Sequence, residues 1–199
     1  MLSQKKTFKV RTKCRLCESK NLKLILDMPS SQPVDNFRPA FSDNLKLESF
    51  EMSLFICKNC SHVQLLNIVD PHILYGDYIY ESSSSPDLKK HFSLYADYLF
   101  DKNYLKKNSK ILDVGSNDGL FLDFLKKKGA DTFGVDPAKK VAEISAKKGH
   151  KIFCEYLNRN LVEKIKNLKI SPIDVITANN VFSHSDNLQS VLECISNLL

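Results

Sequence analysis

Lys110-Ile111-Leu112-Asp113-Val114-Gly115-Ser116-Asn117-Asp118-Gly119 decides the fold. A short apolar run that halts at a glycine predicts a buried strand ending in a tight turn. Leu120, Phe121, Phe124 and Leu125 then recur at helical spacing, and Gly129 closes that helix. The alternation repeats downstream. Residues 131–135 read as a second strand, and Asp136-Pro137 opens a helix with Asp136 as N-cap and Pro137 in the first turn. Val141 and Ile144 face its core side, and Gly149 ends it. Residues 151–154 form a third strand, Leu161, Ile165 and Leu168 mark a helix, and residues 173–178 form a fourth strand. Leu188, Val191, Leu192, Ile195 and Leu198 mark a final helix. Strands and helices in strict alternation predict an α/β fold, a parallel sheet with helices on both faces.

The turn after the first strand carries chemistry. Gly115 and Gly119 let the backbone turn sharply and approach a ligand, and the helix behind them offers free N–H groups. Asp136 ends the second strand 21 positions after Gly115, a placement that binds ribose hydroxyls. Asn117 breaks the GxGxxG pattern, which speaks against a dinucleotide such as NAD. With the strand order 3-2-1-4, the fourth strand lies beside the first. Asn179-Asn180-Val181-Phe182-Ser183-His184 then falls at the carboxyl end of the sheet, where ligands of such folds sit. An imidazole at His184 can serve as a base there, or the residue can be a surface histidine capping the last helix.

Upstream, the chain changes character twice. Residues 71–108 are aromatic and Ser-rich and then become helical, a bridging segment. Residues 1–70 hold four of the six cysteines and show little helical periodicity. Cys14-Arg15-Leu16-Cys17 and Cys57-Lys58-Asn59-Cys60 are two CxxC pairs separated by 39 residues. Each pair presents two thiolates from one tight turn, and two such turns complete a tetrahedral four-sulfur site suited to structural Zn²⁺. An iron–sulfur cluster and four buried free thiols are the competing readings. Cys154 and Cys194 read as packing residues. The expected organisation is a zinc-binding module over 1–70, the bridge over 71–108 and the parallel-sheet domain over 109–199.

Composition narrows the classes. Hydrophobic residues make up 43% and charged residues 26%, the balance of a folded globular chain. No apolar run reaches the roughly 18 residues of a membrane helix, and MLSQKKTFKV lacks the apolar core of a signal peptide. A cytoplasmic protein is therefore expected, and cysteines there serve metal or redox chemistry more often than disulfides. The net charge is +6, yet only Arg11, Arg15, Arg38 and Arg159 are arginines. Arginine is the side chain best suited to bidentate phosphate recognition, so a nucleic-acid partner is disfavoured. The lysine runs precede Gly129 and Gly149 at helix ends, where cations complement the helix dipole and stay solvated.

A strand ending in Asp-x-Gly-x-x-x-Gly resembles motif I of class I S-adenosylmethionine (SAM) methyltransferases. The resemblance implies a Rossmann-like fold whose loop cradles the amino-acid part of SAM. It assigns cofactor binding to Asp113, Gly115, Asn117, Gly119, Asp136 and Asn179. Taken with the four cysteines, Tyr78-Ile79-Tyr80-Glu81-Ser82-Ser83-Ser84-Ser85, Leu88-Lys89-Lys90-His91-Phe92 and Asn180-Val181-Phe182-Ser183-His184, the chain resembles a narrower group. These are the zinc-containing C-methyltransferases that act on nucleotide-linked keto-deoxysugars. The resemblance implies that a proton leaves the carbon beside the sugar ketone and that the enolate attacks the SAM methyl, with Tyr80 and His184 near the reacting carbon. Tyr78 is the other tyrosine candidate. Members of that group continue for about another domain's length. A truncated or split member is expected, with an open edge on the fourth strand that self-associates or pairs with a separate C-terminal polypeptide. A zinc-ribbon module on a degenerate SAM fold, recruiting a protein or nucleic acid, is the alternative reading.

Overall fold

The turn at Gly115 forms where the sequence places it. The computed structural model describes residues 7–33, 48–76 and 78–199. Residues 1–6, part of the stretch read for a signal peptide, lie outside the described residues. The chain divides into two compact units, Met1–Asp77 and Tyr78–Leu199, so the bridge from Tyr78 onward belongs to the second.

The first unit is antiparallel. β1 (Phe8–Val10) pairs with β5 (Asn67–Val69), while β2 (Leu22–Leu26), β3 (Leu54–Cys57) and β4 (Val63–Leu65) form a sheet in the order β2-β3-β4. The short helix α1 (Pro71–Tyr75) follows, with Asp70 accepting from the His72 amide at its start.

The second unit begins with α2 (Pro86–Asp101). Ser85 caps it by accepting from the Leu88 amide, and Pro86 fills the first helical position, where a missing N–H does no harm. There follow β6 (Lys110–Val114), α3 (Leu120–Lys127), β7 (Asp131–Val135), α4 (Lys139–Lys147), β8 (Lys151–Phe153), α5 (Arg159–Asn167), β9 (Val175–Thr177) and α6 (Leu188–Ser196). The sheet is parallel in the order β8-β7-β6-β9, the expected 3-2-1-4 arrangement with β9 at an edge. The pleat separates two cores. Ile111 packs among Ala96 and Leu99 of α2 and Phe121, Leu122 and Leu125 of α3. Its neighbour Leu112 points the other way, among Leu161 and Ile165 of α5 and Cys194 of α6. The Phe121 ring stacks with both Tyr95 and Phe92, each at 5.0 Å between centroids.

Several local readings are corrected. α4 begins at Lys139 with Ala138 as its cap; the Asp136 carboxylate accepts from the Asn117 and Ala138 amides instead of from an amide within the helix. The third and fourth strands are shorter than read, ending at Phe153 and spanning only Val175–Thr177. Leu168 follows the last turn of α5 and is exposed, and Cys154 is exposed just past β8. Cys194 is buried as expected. Lys126 and Lys148 are not merely solvated: Lys126 Nζ donates to the Gly149 carbonyl at 3.0 Å, and Lys148 reaches the glycine loop. Among the described residues, no helix is long and apolar enough to cross a membrane.

Candidate functional site

β6 delivers the chain to Gly115, and the turn closes on β7. The Gly115 and Ser116 amides both donate to the Val135 carbonyl, at 2.7 and 3.2 Å. Gly115 has φ +73°, and a Cβ there would sit 2.6 Å from Val181 Cγ2. Any side chain at 115 would therefore strain the backbone and displace the segment after β9. Gly119 has φ +78°, and a Cβ there would collide with the Ser145 hydroxyl and the His150 ring. Asn117 also takes a left-handed conformation, φ +50°, which Asn tolerates better than most residues.

The carboxylates lie beneath and beside this turn. Asp136 Oδ2 accepts from the Asn117 amide at 2.8 Å, and Oδ1 accepts from the Ala138 amide at 2.9 Å. Burial raises its pKa against those two amides. Each of its oxygens keeps a further acceptor site for a ligand hydroxyl. Asp113 is buried opposite Thr177 in the β6–β9 register, and the Thr177 hydroxyl donates to Oδ1 at 2.7 Å. Burial pushes the Asp113 carboxyl up to about 7; the Thr177 hydroxyl opposes this, the Asp136 charge adds to it and the nearby Asn179 amide opposes it. Asn179 Nδ2 is buried beside Asp113 and completes no hydrogen bond of good geometry.

Residues 78–85 run to the same loop. Asn117 Oδ1 accepts from the Ser82 amide at 2.9 Å, and Asn117 Nδ2 donates to the Tyr80 carbonyl at 2.9 Å. The Tyr80 ring packs edge-on to Tyr78. His184 closes a 3-10 turn, Phe182–His184, and is exposed. Val181, three residues before it, packs on Gly115. The fold thus brings the Tyr80 segment, the loop, Asp136, Asn179 and the His184 turn to one end of the sheet.

A polar network around the buried His150, beside the loop, escaped the sequence reading. His150 Nε2 lies 2.9 Å from Asp123 Oδ1, and its Nδ1 lies 3.0 Å from the Thr132 hydroxyl. Burial lowers the His150 pKa, Asp123 opposes this, and Lys126 and Lys148 add to it. Lys148 Nζ pairs with Asp123 at 3.2 Å and donates to the Asp118 carbonyl at 2.7 Å. Residues 118, 123, 148 and 150 share no periodicity in the sequence. The βαβ crossover alone brings them together.

In the first unit, Cys14, Cys17, Cys57 and Cys60 place their sulfurs within 4.8 Å of one another. The Cys14–Cys60 and Cys17–Cys57 separations are both 3.6 Å. A zinc ion with sulfurs at about 2.3 Å in a tetrahedron sets them about 3.8 Å apart, so the residues fit the ion. The two turns match. The Glu18 amide donates to the Cys14 carbonyl and the Ser61 amide to the Cys57 carbonyl, and Glu18 and Ser61 have φ +58° and +62°. Burial opposes the Cys57 thiolate, but the Cys60 and Asn59 amides and the neighbouring thiols bring it down to about 6. The His62 amide favours the Cys60 thiolate, whereas Cys17, burial and the other thiols push it up to about 12. A divalent cation removes this mutual opposition.

Residues 88–199 match the family model described as "Methyltransferase domain", and residues 14–75 match one described as "Putative zinc binding domain". The chain belongs to the methyltransferase-domain family. C-methyltransferase NovU of Streptomyces niveus is 22% identical over 186 residues, which are 94% of this chain and 44% of that protein. The mitochondrial ubiquinone biosynthesis O-methyltransferase of Rattus norvegicus is 30% identical over 96 residues, 45% of this chain and 27% of that protein. The chain thus spans less than half the length of these curated relatives. Among solved structures, magnesium protoporphyrin IX methyltransferase (ChlM) from Synechocystis PCC 6803 with bound SAM is 15% identical, covers 55% of this chain and 53% of its own, and has a TM-score of 0.44. The four-cysteine cluster lies within the residues matched to the zinc-binding model, and the glycine turn within those matched to the methyltransferase model. The acceptor sites left on Asp136, the buried Asn179 amide with its incomplete hydrogen bonding and the glycine turn fit SAM.

Cys57→Ser should lower zinc in purified protein from about one equivalent and destabilise the first unit, because metal binding and folding are linked. Elemental analysis reads this; iron, or unchanged zinc in the variant, would contradict it. Asp113 supplies a second expectation. Its folded pKa of about 7 exceeds the ordinary 3.8, so the folded state binds the extra proton between these values. Stability should therefore rise, relative to Asp113→Asn, as pH falls from about 8 to about 5, by roughly 2 kcal/mol. Urea midpoints of both proteins measure this, and a pH-independent difference would contradict it.

Proposed function

We propose that the chain is a SAM-dependent methyltransferase that adds a methyl group to carbon beside the ketone of a nucleotide-linked keto-deoxysugar. One observation supports this most strongly. The Tyr80 segment and the His184 turn, from separate parts of the chain, both adjoin the glycine loop, through Asn117 and through Val181. The extent of the similarities favours carbon over oxygen as the acceptor. The match to C-methyltransferase NovU covers 94% of the chain and both units, whereas the O-methyltransferase match covers 45%. A four-thiolate zinc site also suits the reducing cytoplasm.

In this reading SAM supplies an electrophilic methyl group. Asp136 would accept the ribose hydroxyls, while the turn at Gly115 and Gly119, whose amides are tied to Val135 and Ser116, and the Asn179 side chain would border the amino-acid end. Of Asn117 only the carbonyl would serve the cofactor, since its amide is held by Asp136 and its side chain by the Tyr80 segment. The carbon beside the ketone would lose a proton, and its electron pair would form the new C–C bond to the methyl as the S–CH3 bond breaks, with S-adenosylhomocysteine leaving. His184 accepts or relays that proton, and the Tyr80 hydroxyl donates to the oxygen on which negative charge develops.

Methyl transfer from radiolabelled SAM to a nucleotide-linked keto-deoxysugar tests the reading. His184→Ala should lower the rate about 10²-fold or more, and Tyr80→Phe should lower it measurably while SAM affinity is retained. Transfer to hydroxyl acceptors but not to the keto-sugar would contradict it.

A further inference from the structure

The segment before α2 is fastened to the glycine loop from both sides. Ser82–Ser84 form a 3-10 turn whose first two amides point at loop side chains. The Ser82 amide donates to Asn117 Oδ1 at 2.9 Å, and the Ser83 amide donates to Asp118 Oδ2 at 3.2 Å. Asn117 Nδ2 returns a hydrogen bond to the Tyr80 carbonyl at 2.9 Å. Immediately beyond, Ser85 caps α2, so residues 80–85 are held at both ends.

The loop side of this clamp is itself fixed. Asp118 is fully buried; its Oδ1 accepts from the Leu120 amide at 3.3 Å, and Lys148 Nζ lies 3.7 Å from Oδ2. The Asn117 amide donates to Asp136 Oδ2 at 2.8 Å. The residue whose backbone is tied to the ribose-type acid is therefore the residue whose side chain holds the Tyr80 segment. A ligand that steadies Asp136 steadies Asn117, and a steadied Asn117 holds the turn more firmly.

We propose that Asn117 and Asp118 are positioning residues: they clamp the Ser82–Ser84 turn, present Tyr80 at the cofactor crevice and couple cofactor binding to Tyr80 placement. The proposal rests on the methyltransferase reading above. Linkage makes the coupling reciprocal, so releasing the turn must weaken cofactor binding by the factor through which the cofactor tightens the turn.

Two variants test it from opposite sides. Asn117→Gly removes the side chain while keeping the left-handed backbone free of strain. Ser82→Pro removes one amide donor and leaves the loop sequence intact, and the extended Glu81 before it suits a following proline. Amide hydrogen exchange and calorimetry with S-adenosylhomocysteine, the demethylated product, are measured on the 199-residue chain. In the parent, the product should slow exchange at Ser82 and Ser83 about tenfold. Each variant should speed exchange at Ser83 and weaken the product about tenfold, with exchange in β6 and β7 unchanged. Unchanged Ser83 exchange in both variants would overturn the clamp. Faster exchange with product affinity within about twofold of the parent would overturn the coupling and leave a purely structural turn. A parent that binds no product would instead refute the methyltransferase reading, and the proposal with it. Should Asn117→Gly disturb β6 and β7, the Ser82→Pro result decides.

Discussion

Asp136 holds two parts of the second unit together with one carboxylate. One oxygen takes the Asn117 amide and the other the Ala138 amide, so the glycine loop and the approach to α4 are joined at the tip of β7. The left-handed turn at Asn117 directs its side chain to the Tyr80 segment. Gly115 completes the arrangement by admitting Val181, which brings the segment after β9 against the same turn. The shape of the site therefore follows from one carboxylate with two amides and from a glycine that no other residue can replace without strain.

That arrangement collects acids where solvent is scarce. Asp113, Asp118 and Asp136 are all buried, and each is compensated differently. Asp113 relies on the Thr177 hydroxyl and is raised to about 7, Asp136 relies on two amides, and Asp118 has the Lys148 ammonium nearby. A buried carboxylate with only neutral partners tends toward its protonated form. Lys148 also joins Asp123 beside His150, so one lysine links the loop to the polar cluster next to it.

The parallel sheet was legible because β6, β7 and their helices obey simple periodicities and end at glycines. The cysteine cluster followed from the paired CxxC spacing, whereas the strand order came from the fold the chain resembles. Asp136 was legible by its distance from Gly115, but it was misread as the helix cap, because a carboxylate at a strand tip can serve either the next helix or a neighbouring loop. Asn117 was read as a cofactor ligand from its place in the turn. That its side chain faces the Tyr80 segment depends on a left-handed backbone that spacing does not reveal. The His150–Asp123–Lys148 network was illegible for a related reason, since burial joins residues that share no repeat. Cys154 shows the opposite error: one residue of strand length separates a packing thiol from an exposed one.

The central claim is that the glycine turn and Asp136 form a SAM site. Calorimetry with S-adenosylhomocysteine on the parent chain and on Asp136→Ala tests it most directly. The account predicts binding by the parent and a loss of about 1–3 kcal/mol in the variant, the scale of hydrogen-bonding groups left without a partner. Equal affinity in the two proteins, or tighter binding of NAD by the parent, would contradict it.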